Sequence, residues 1–385
     1  VIVGGVYAGQ EAVTVWKQKQ NVDSAQTESV ANARTMQKLQ LIEEMIQKNI
    51  ELDMADDAAM ENGIYQGLVN SLQDPYSAYF SAEEMAEQKN RMDGVYYGIG
   101  AYVRYDSNVG FARLGEIFEG SPAQESGLKE GDLIIKVDDQ YTKNMSLEDV
   151  IALIKGEEGT KVMLTIMREG DNEIYEFEVE RREVPKQTVS YEMLENKIAY
   201  IRISEFDKVT VDQFTDAMAT AKGSEMLGLI LDLRDNPGGN LAAVIDVARK
   251  LLPKGLIVYT EDKAGERKDY TCNGENELTV PMVVLVNGGS ASASEVLAGA
   301  IKDYGKGKLL GTTTYGKGIV QKYLGISDGS AVKLTTSKYY TPKGNNIHGI
   351  GIEPDEELEM DYEQYLEKGY DNQLERAKEI LVKGE

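Results

Sequence analysis

Residues 283–301 read VVLVNGGSASASEVLAGAI, and residues 230–248 read ILDLRDNPGGNLAAVIDVA. Each joins a nearly continuous apolar run to a glycine turn and then to a helix-like segment. Unbroken apolar runs suit strands covered on both faces, whereas a half-exposed strand alternates. Strands are therefore expected at 227–233 and Met282–Val286, followed by helices at 241–252 and 293–303. A strand–turn–helix unit used twice predicts a layered α/β core over residues 184–350.

Upstream, residues 93–183 change character. Short β-rich runs at 99–105, 112–117, Leu133–Val137, 162–167 and 175–179 alternate with turn signals, which predicts a β-rich domain. A helix over 146–155 opens on a serine N-cap. The phrase GSPAQESGLKEGDLIIKVDDQ (120–140) contains a short helix opened by Pro122 and Ala123 and ended by Gly127, then a turn at Gly131-Asp132 into a strand. Residues 36–92 form a helical region: Leu39, Ile42 and Ile46 recur at helical spacing, as do Met60, Ile64 and Leu68. The second of these helices stops before Asp74-Pro75, and Ser81 with Glu84 reads as a capping box for a third. Stripes of this kind bury against each other or form a homodimer, and the sequence leaves both open. Residues 351–385 end in a helix with Leu374, Ala377 and Leu381 on one side.

The 385 residues carry a formal net charge of −24, a single histidine and a single cysteine. So acidic a chain repels phosphate backbones, which argues against nucleic-acid binding. One histidine excludes multi-histidine metal sites, and no phosphate or calcium loop occurs, so no cofactor is expected. Residues 1–35 begin with the apolar run VIVGGVYAG, too short to span a bilayer, which takes about 20 apolar residues. The run is expected to be a membrane-anchor remnant followed by a linker. A signal-peptide end at Val6-Tyr7-Ala8 and an ordinary flexible N-terminus are the alternatives.

The chemistry concentrates at GGSASASE (288–295) and TYGKGIVQ (314–321). A serine between a buried strand and a helix start lies at the carboxyl edge of the sheet, where open α/β sheets bind ligands. The free N–H groups of the helix start favour a developing oxyanion. Ser290, Ser292 and Ser294 all qualify, and all three also read as caps or packing residues. Lys317 stands between two glycines that let the backbone approach closely. A lysine that loses its proton through burial can serve as the base for a serine, and Gln321, four residues on, can orient the amine. Cys272 lies in a polar, loop-like stretch, and His348 in a glycine-rich turn, where it is more simply structural. Glu295 is expected to cap or pack at the helix start.

Together these phrases resemble the carboxyl-terminal processing, or tail-specific, proteases. The phrase at 120–140 resembles a PDZ domain. LDLRDNPGG (231–239), HGIGIEPD (348–355) and LQDPYSAYF (72–80) match the family as well. The resemblance implies a serine endopeptidase with a crotonase/ClpP-like core and an inserted PDZ domain. Its Ser-to-Lys spacing of 25 residues selects Ser292 as nucleophile, Lys317 as base and Gln321 as orienting partner. The oxyanion hole falls to the N–H of Ala293 with that of Gly238 or Gly239. Substrates would be proteins or peptides with free C-termini, held at Tyr97, Gly98, Ile99 and Gly100. Lys155 in LIKGEEGT stands where many members have arginine, a weaker and less directional contact. The family also implies a homodimer and an extracytoplasmic location, anchored or secreted. A PDZ scaffold on an inactive core is the alternative from another class.

Overall fold

A computed structural model describes residues 29–52, 56–168, 170 and 173–384. The expected anchor remnant at 1–8 lies outside them. The chain divides into a larger unit (88–261, 266–318, 338–385) and a smaller one (1–87, 262–265, 319–337).

In the larger unit the apolar runs form a six-stranded sheet. Ile198–Ile203, Gly228–Asp232, Met282–Val286, Lys308–Gly311 and Glu356–Glu357 are parallel in that order, and Val189–Leu194 adds an antiparallel edge. The observed strands Gly228–Asp232 and Met282–Val286 are buried at every position, whereas Leu227, the first residue of the expected 227–233 run, precedes its strand and is exposed. Successive strand residues face opposite sides. Ile230, Val283, Leu285 and Leu310 pack with Ala377 and Ile380 of the helix Asn372–Lys383. Their neighbours Leu229, Leu231, Val284 and Leu309 are equally buried, so they meet a second layer. The helices Lys208–Gly223, Leu241–Ala248 and Ala293–Tyr304 pack against one another and the sheet to supply it. The turns at 233–240 and 287–292 leave adjacent parallel strands at their carboxyl ends.

Within the same unit, Ala101–Asp106, Phe111–Ile117, Leu133–Val137, Lys161–Met167 and Ile174–Glu180 form an antiparallel sheet around Leu114, Ile134, Val150 and Ile166. The short helix Pro122–Ser126 has Ser121 as N-cap and stops at Gly127, whose φ of 90° is accessible to glycine at little cost. Ser146 caps Leu147–Ile154 by accepting the Asp149 N–H at 3.1 Å. Val95–Gly98 pairs antiparallel with Arg182–Pro185, so the chain enters and leaves this block side by side. Gly94 and Lys186 mark that junction, joined by a hydrogen bond from the Lys186 N–H to the Gly94 carbonyl at 2.8 Å.

The smaller unit contains the helices Ala33–Asn49 and Asp57–Asn70 and a hairpin of Ile319–Gly325 with residues 331–337. In the region read as helical, the segment between the second and third helices holds a strand, Ala78–Phe80, which pairs with residues 331–333. Ala33–Asn49 buries none of its residues, and Leu41, Met45 and Ile46 lie on its surface. The expected capping box is present: the Ser81 N–H donates to Glu84 Oε2 at 2.7 Å, and the Glu84 N–H to Ser81 Oγ at 3.2 Å. Among the described residues no helix is long and apolar enough to cross a membrane.

Candidate active site

The three serines of the SASASE turn have different surroundings. Ser290 is fully buried and donates its hydroxyl to the Leu233 carbonyl at 2.7 Å. Ser294 is fully buried and donates to the Asn236 carbonyl at 2.9 Å. Both are structural ties to the neighbouring 233–240 turn. Ser292 alone is partly exposed. Its backbone sits at φ 53°, ψ −110°, outside the regions that a serine adopts without strain. A strained turn between strand and helix presents the side chain at the rim of the sheet.

The turn is held against the NPGG segment by Asn236. Its Nδ2 donates to the Ile203 carbonyl, its Oδ1 accepts the Gly238 N–H, and its own carbonyl accepts the Ala291 N–H, each at 2.9 Å. A Cβ on Gly238 would lie 2.8 Å from both Ser292 Cβ and the Ala293 nitrogen, and one on Gly239 would lie 2.2 Å from the Phe206 carbonyl oxygen. Only glycine fits at this approach. The Gly238 N–H is engaged, whereas those of Gly239 and Ala293 find no acceptor among the described residues.

Lys317 is brought to the serine turn by a buried carboxylate. Glu295 has no exposed surface. Its Oε2 accepts the Ser292 N–H at 2.9 Å and the Lys317 N–H at 2.8 Å, and its Oε1 accepts the Gly316 N–H at 2.7 Å and the Thr314 hydroxyl at 2.6 Å. The Tyr339 hydroxyl lies 3.0 Å from the Ser292 carbonyl oxygen and 2.5 Å from that of Lys317. Burial, with the Glu295 charge adding to it, holds this phenol well above its usual pKa, so it remains a donor. The glycines flanking Lys317 are required by HGIG: a Cβ on Gly316 would meet the Gly351 nitrogen at 3.0 Å, and one on Gly318 the His348 nitrogen at 2.6 Å. His348 is exposed, and its backbone does this packing. Cys272, expected in a loop, instead ends the strand Arg267–Cys272, where its buried thiol faces the Leu252 carbonyl at 3.3 Å.

Beneath the NPGG turn lies a buried ionic cluster. Arg234 pairs with Asp232 at 2.6 Å and with Asp371 at 2.8 Å, and donates to Gln373 at 2.9 Å; Tyr200 donates to Asp232 at 2.7 Å. It fastens the C-terminal helix to the strand that carries the turn.

The match to family models and relatives agrees with this arrangement. The peptidase family S41 model matches residues 197–358, a PDZ domain model residues 116–168, and the activating protease CtpB N-terminal domain model residues 1–84. The carboxyl-terminal-processing protease of Synechocystis is 34% identical over 323 residues, covering 82% of this chain and 76% of that protein.

The chain belongs to peptidase family S41.

Within that family of serine-type peptidases its relatives are the carboxy-terminal processing proteases. CtpA of Bacillus subtilis is 38% identical over 306 residues, 79% of this chain, and the chain spans 65% of CtpA's length. A Bacteroides fragilis protein assigned to the S41 proteases has the same fold, with a TM-score of 0.54 at 18% identity, covering 90% of this chain and 97% of that one.

Of the S41 residues expected from the sequence, Ser292, Ala293, Gly238, Gly239 and Lys317 meet in the larger unit. Gln321 lies on the Ile319–Gly325 strand of the smaller one. There its Nε2 donates to Thr335 Oγ1 at 3.3 Å, and Thr335 donates to Asp74 Oδ2 at 2.7 Å. Burial alone would raise the Asp74 carboxyl. Donors from Ser77, Thr335 and the Tyr76 amide outweigh it and bring the pKa below the usual value. In the PDZ block, Gly98, Ile99 and Gly100 are buried and Tyr97 is partly so. The Ile99 and Gly100 N–H groups find no acceptor among the described residues. Lys155 ends the helix Leu147–Ile154 and places its amine 5.6 Å from the centre of the Tyr96 ring. Sequence reasoning missed Tyr339 altogether; it read Glu295 as capping or packing at the helix start, which it does, but not as the acceptor of the lysine loop's N–H groups. The tyrosine lies 47 residues from Ser292, and no local pattern marks it.

Proposed function

We propose that the protein is a serine endopeptidase that cuts proteins recognised by their free C-terminal tails. Ser292 is the nucleophile and Lys317 the general base. The neutral amine takes the proton from Ser292 Oγ as the oxygen attacks the scissile carbonyl carbon. The tetrahedral oxyanion is met by the N–H groups of Ala293 and Gly239, donors of the kind that contribute about 3–4 kcal/mol. The intermediate collapses to an acyl-enzyme as the leaving amine takes the proton from Lys317, and water then releases the acyl group by the reverse route. The observation that carries this reading is the sorting of the serines: two are buried in structural hydrogen bonds, and the remaining one shares a carboxylate oxygen with the lysine's own backbone. Gly239 is preferred to Gly238 because the latter's N–H is already engaged.

The role of orienting the amine comes to Gln321 from the family resemblance. Ionised Asp74 only accepts, so the Thr335 proton points to Asp74 and Thr335 Oγ1 faces the Gln321 amide nitrogen, which leaves the carbonyl end for a donor. The tail is captured by β-augmentation in the PDZ block, with its carboxylate on the Ile99 and Gly100 N–H groups beside Tyr97 and Gly98. Lys155, stacked on Tyr96, sits at the end of the helix beside that loop. The parallel sheet between helical layers is compatible with a crotonase/ClpP-like core. The exposed stripe of Ala33–Asn49 supports a homodimer, and the family resemblance is the ground for an extracytoplasmic enzyme, anchored or secreted.

The test is incubation with a peptide ending in an apolar free C-terminus. Wild type is expected to cut it, while Ser292→Ala and Lys317→Ala bind it and leave it intact, with turnover down by about 10⁴-fold or more. Cleavage that survives Ser292→Ala removes the nucleophile. Binding without cleavage by wild type supports a scaffold instead.

A further inference from the structure

The peptide groups of Ser292 and Lys317 are pinned at both ends. On the amide side one carboxylate oxygen of Glu295 accepts both N–H groups. On the carbonyl side one hydroxyl, that of Tyr339, lies within hydrogen-bond distance of both oxygens. Two carbonyl oxygens aimed at one point repel each other unless a donor stands between them. A phenol has a single proton, so the two oxygens share it and are drawn to the same place. The Tyr339 backbone is itself fixed to the lysine loop, its N–H donating to the Gly318 carbonyl at 3.1 Å. The ring is 2% exposed, so water does not replace the hydroxyl.

We propose that Tyr339 is a positioning residue for the reaction: its shared hydroxyl sets the distance and angle between the nucleophile turn and the lysine loop. The proposal rests on the Ser292–Lys317 reading above. A lysine amine stands at the end of four methylenes, so a small rotation of its peptide plane becomes a larger displacement of the amine. Displacements near 1 Å at a reacting group cost on the order of 100-fold in rate. The Tyr339 hydroxyl meets the backbone oxygens of Ser292 and Lys317, so its effect passes through the two loops.

Tyr339→Phe keeps the ring and removes the hydroxyl. Expected are a fall in kcat of roughly 10–100-fold, an unchanged KM, an acidic limb of the kcat/KM pH profile displaced from that of wild type, and wild-type binding of tail peptide to the PDZ block. A wild-type kcat and pH profile overturns the proposal. So does a loss of turnover matched by a lower melting temperature and lost peptide binding, because the hydroxyl is then a stability element only. Ser292→Ala and Lys317→Ala are assayed alongside. If either retains full activity, the dyad reading fails; if both are inactive and Tyr339→Phe is normal, only the positioning role fails.

Discussion

The Ser292 turn and the Tyr97–Gly100 loop both end a strand and both offer backbone N–H groups, yet they are held in different ways. Around Ser292 the neighbouring peptide groups are tied to buried partners: Glu295, Asn236, Tyr339 and the hydroxyls of Ser290 and Ser294. The PDZ loop is fixed mainly by backbone, with the Ala123 N–H on the Ile99 carbonyl at 2.8 Å and the Phe118 N–H on the Gly100 carbonyl at 3.0 Å. Its flanking side-chain contact sets an exposed Lys155 over a partly buried Tyr96. Bond cleavage needs atoms held within a fraction of an ångström, which a buried polar network supplies. The proposed capture of varied tails needs unfilled donors and a groove, which a lightly tied loop would supply.

The largest expected difference between the two regions follows Glu295→Gln. The amide places an NH₂ against N–H donors, so about 2–4 kcal/mol of stability is lost. Turnover falls with it, while tail binding by the PDZ block persists at temperatures where the chain is folded. Calorimetry and peptide titration on one sample check this. Equal loss of both functions would mean that the two regions are not separable in the way described.

The opposite test is Gly100→Ala. Gly100 has φ 78°, and a Cβ there would lie 2.4 Å from Ser121 Cβ. Tail affinity is expected to weaken by about tenfold, near 1.4 kcal/mol, with Ser292 reacting with a fluorophosphonate at the wild-type rate. Slower labelling would show that the loop's geometry reaches the nucleophile.

Much of this contrast was legible in the sequence. The PDZ strands and both glycine turns follow from short-range patterns, and Pro122, Gly127 and Ser146 act where their chemistry predicts. The helix Lys208–Gly223 was not read, because Val209, Thr210 and Val211 lean towards β structure locally and tertiary packing of Phe214, Ala217 and Ala221 overrides them. Ser292 stood out from its neighbours by family spacing alone, since nothing local shows that Ser290 and Ser294 are spent on carbonyls 57 and 58 residues away.

A smaller effect sharpens the comparison at the junction between the two regions. Asp207 precedes the helix Lys208–Gly223, and a Cβ on Gly94 would lie 2.6 Å from its Cβ. Burial pushes its carboxyl up to about 6, against the pull of Lys186, whose amine is 4.0 Å away. The folded state therefore holds this proton more tightly than the unfolded chain. The stability it contributes is present below about pH 4 and is lost as pH rises through about 6. Asp207→Asn keeps a capping side chain and removes the charge. It should be more stable than wild type by roughly 1–2 kcal/mol at pH 7.5, and the two should converge near pH 4. Parallel stability curves would remove Asp207 as the group responsible.

The central claim is that one serine, paired with Lys317, does the chemistry. The direct measurement is site-resolved mass spectrometry after fluorophosphonate labelling of wild type and Lys317→Ala across pH. The account predicts a single adduct on Ser292 in wild type and almost none in the folded variant. Labelling on Ser290 or Ser294, or labelling of Ser292 at the same rate without Lys317, would contradict it.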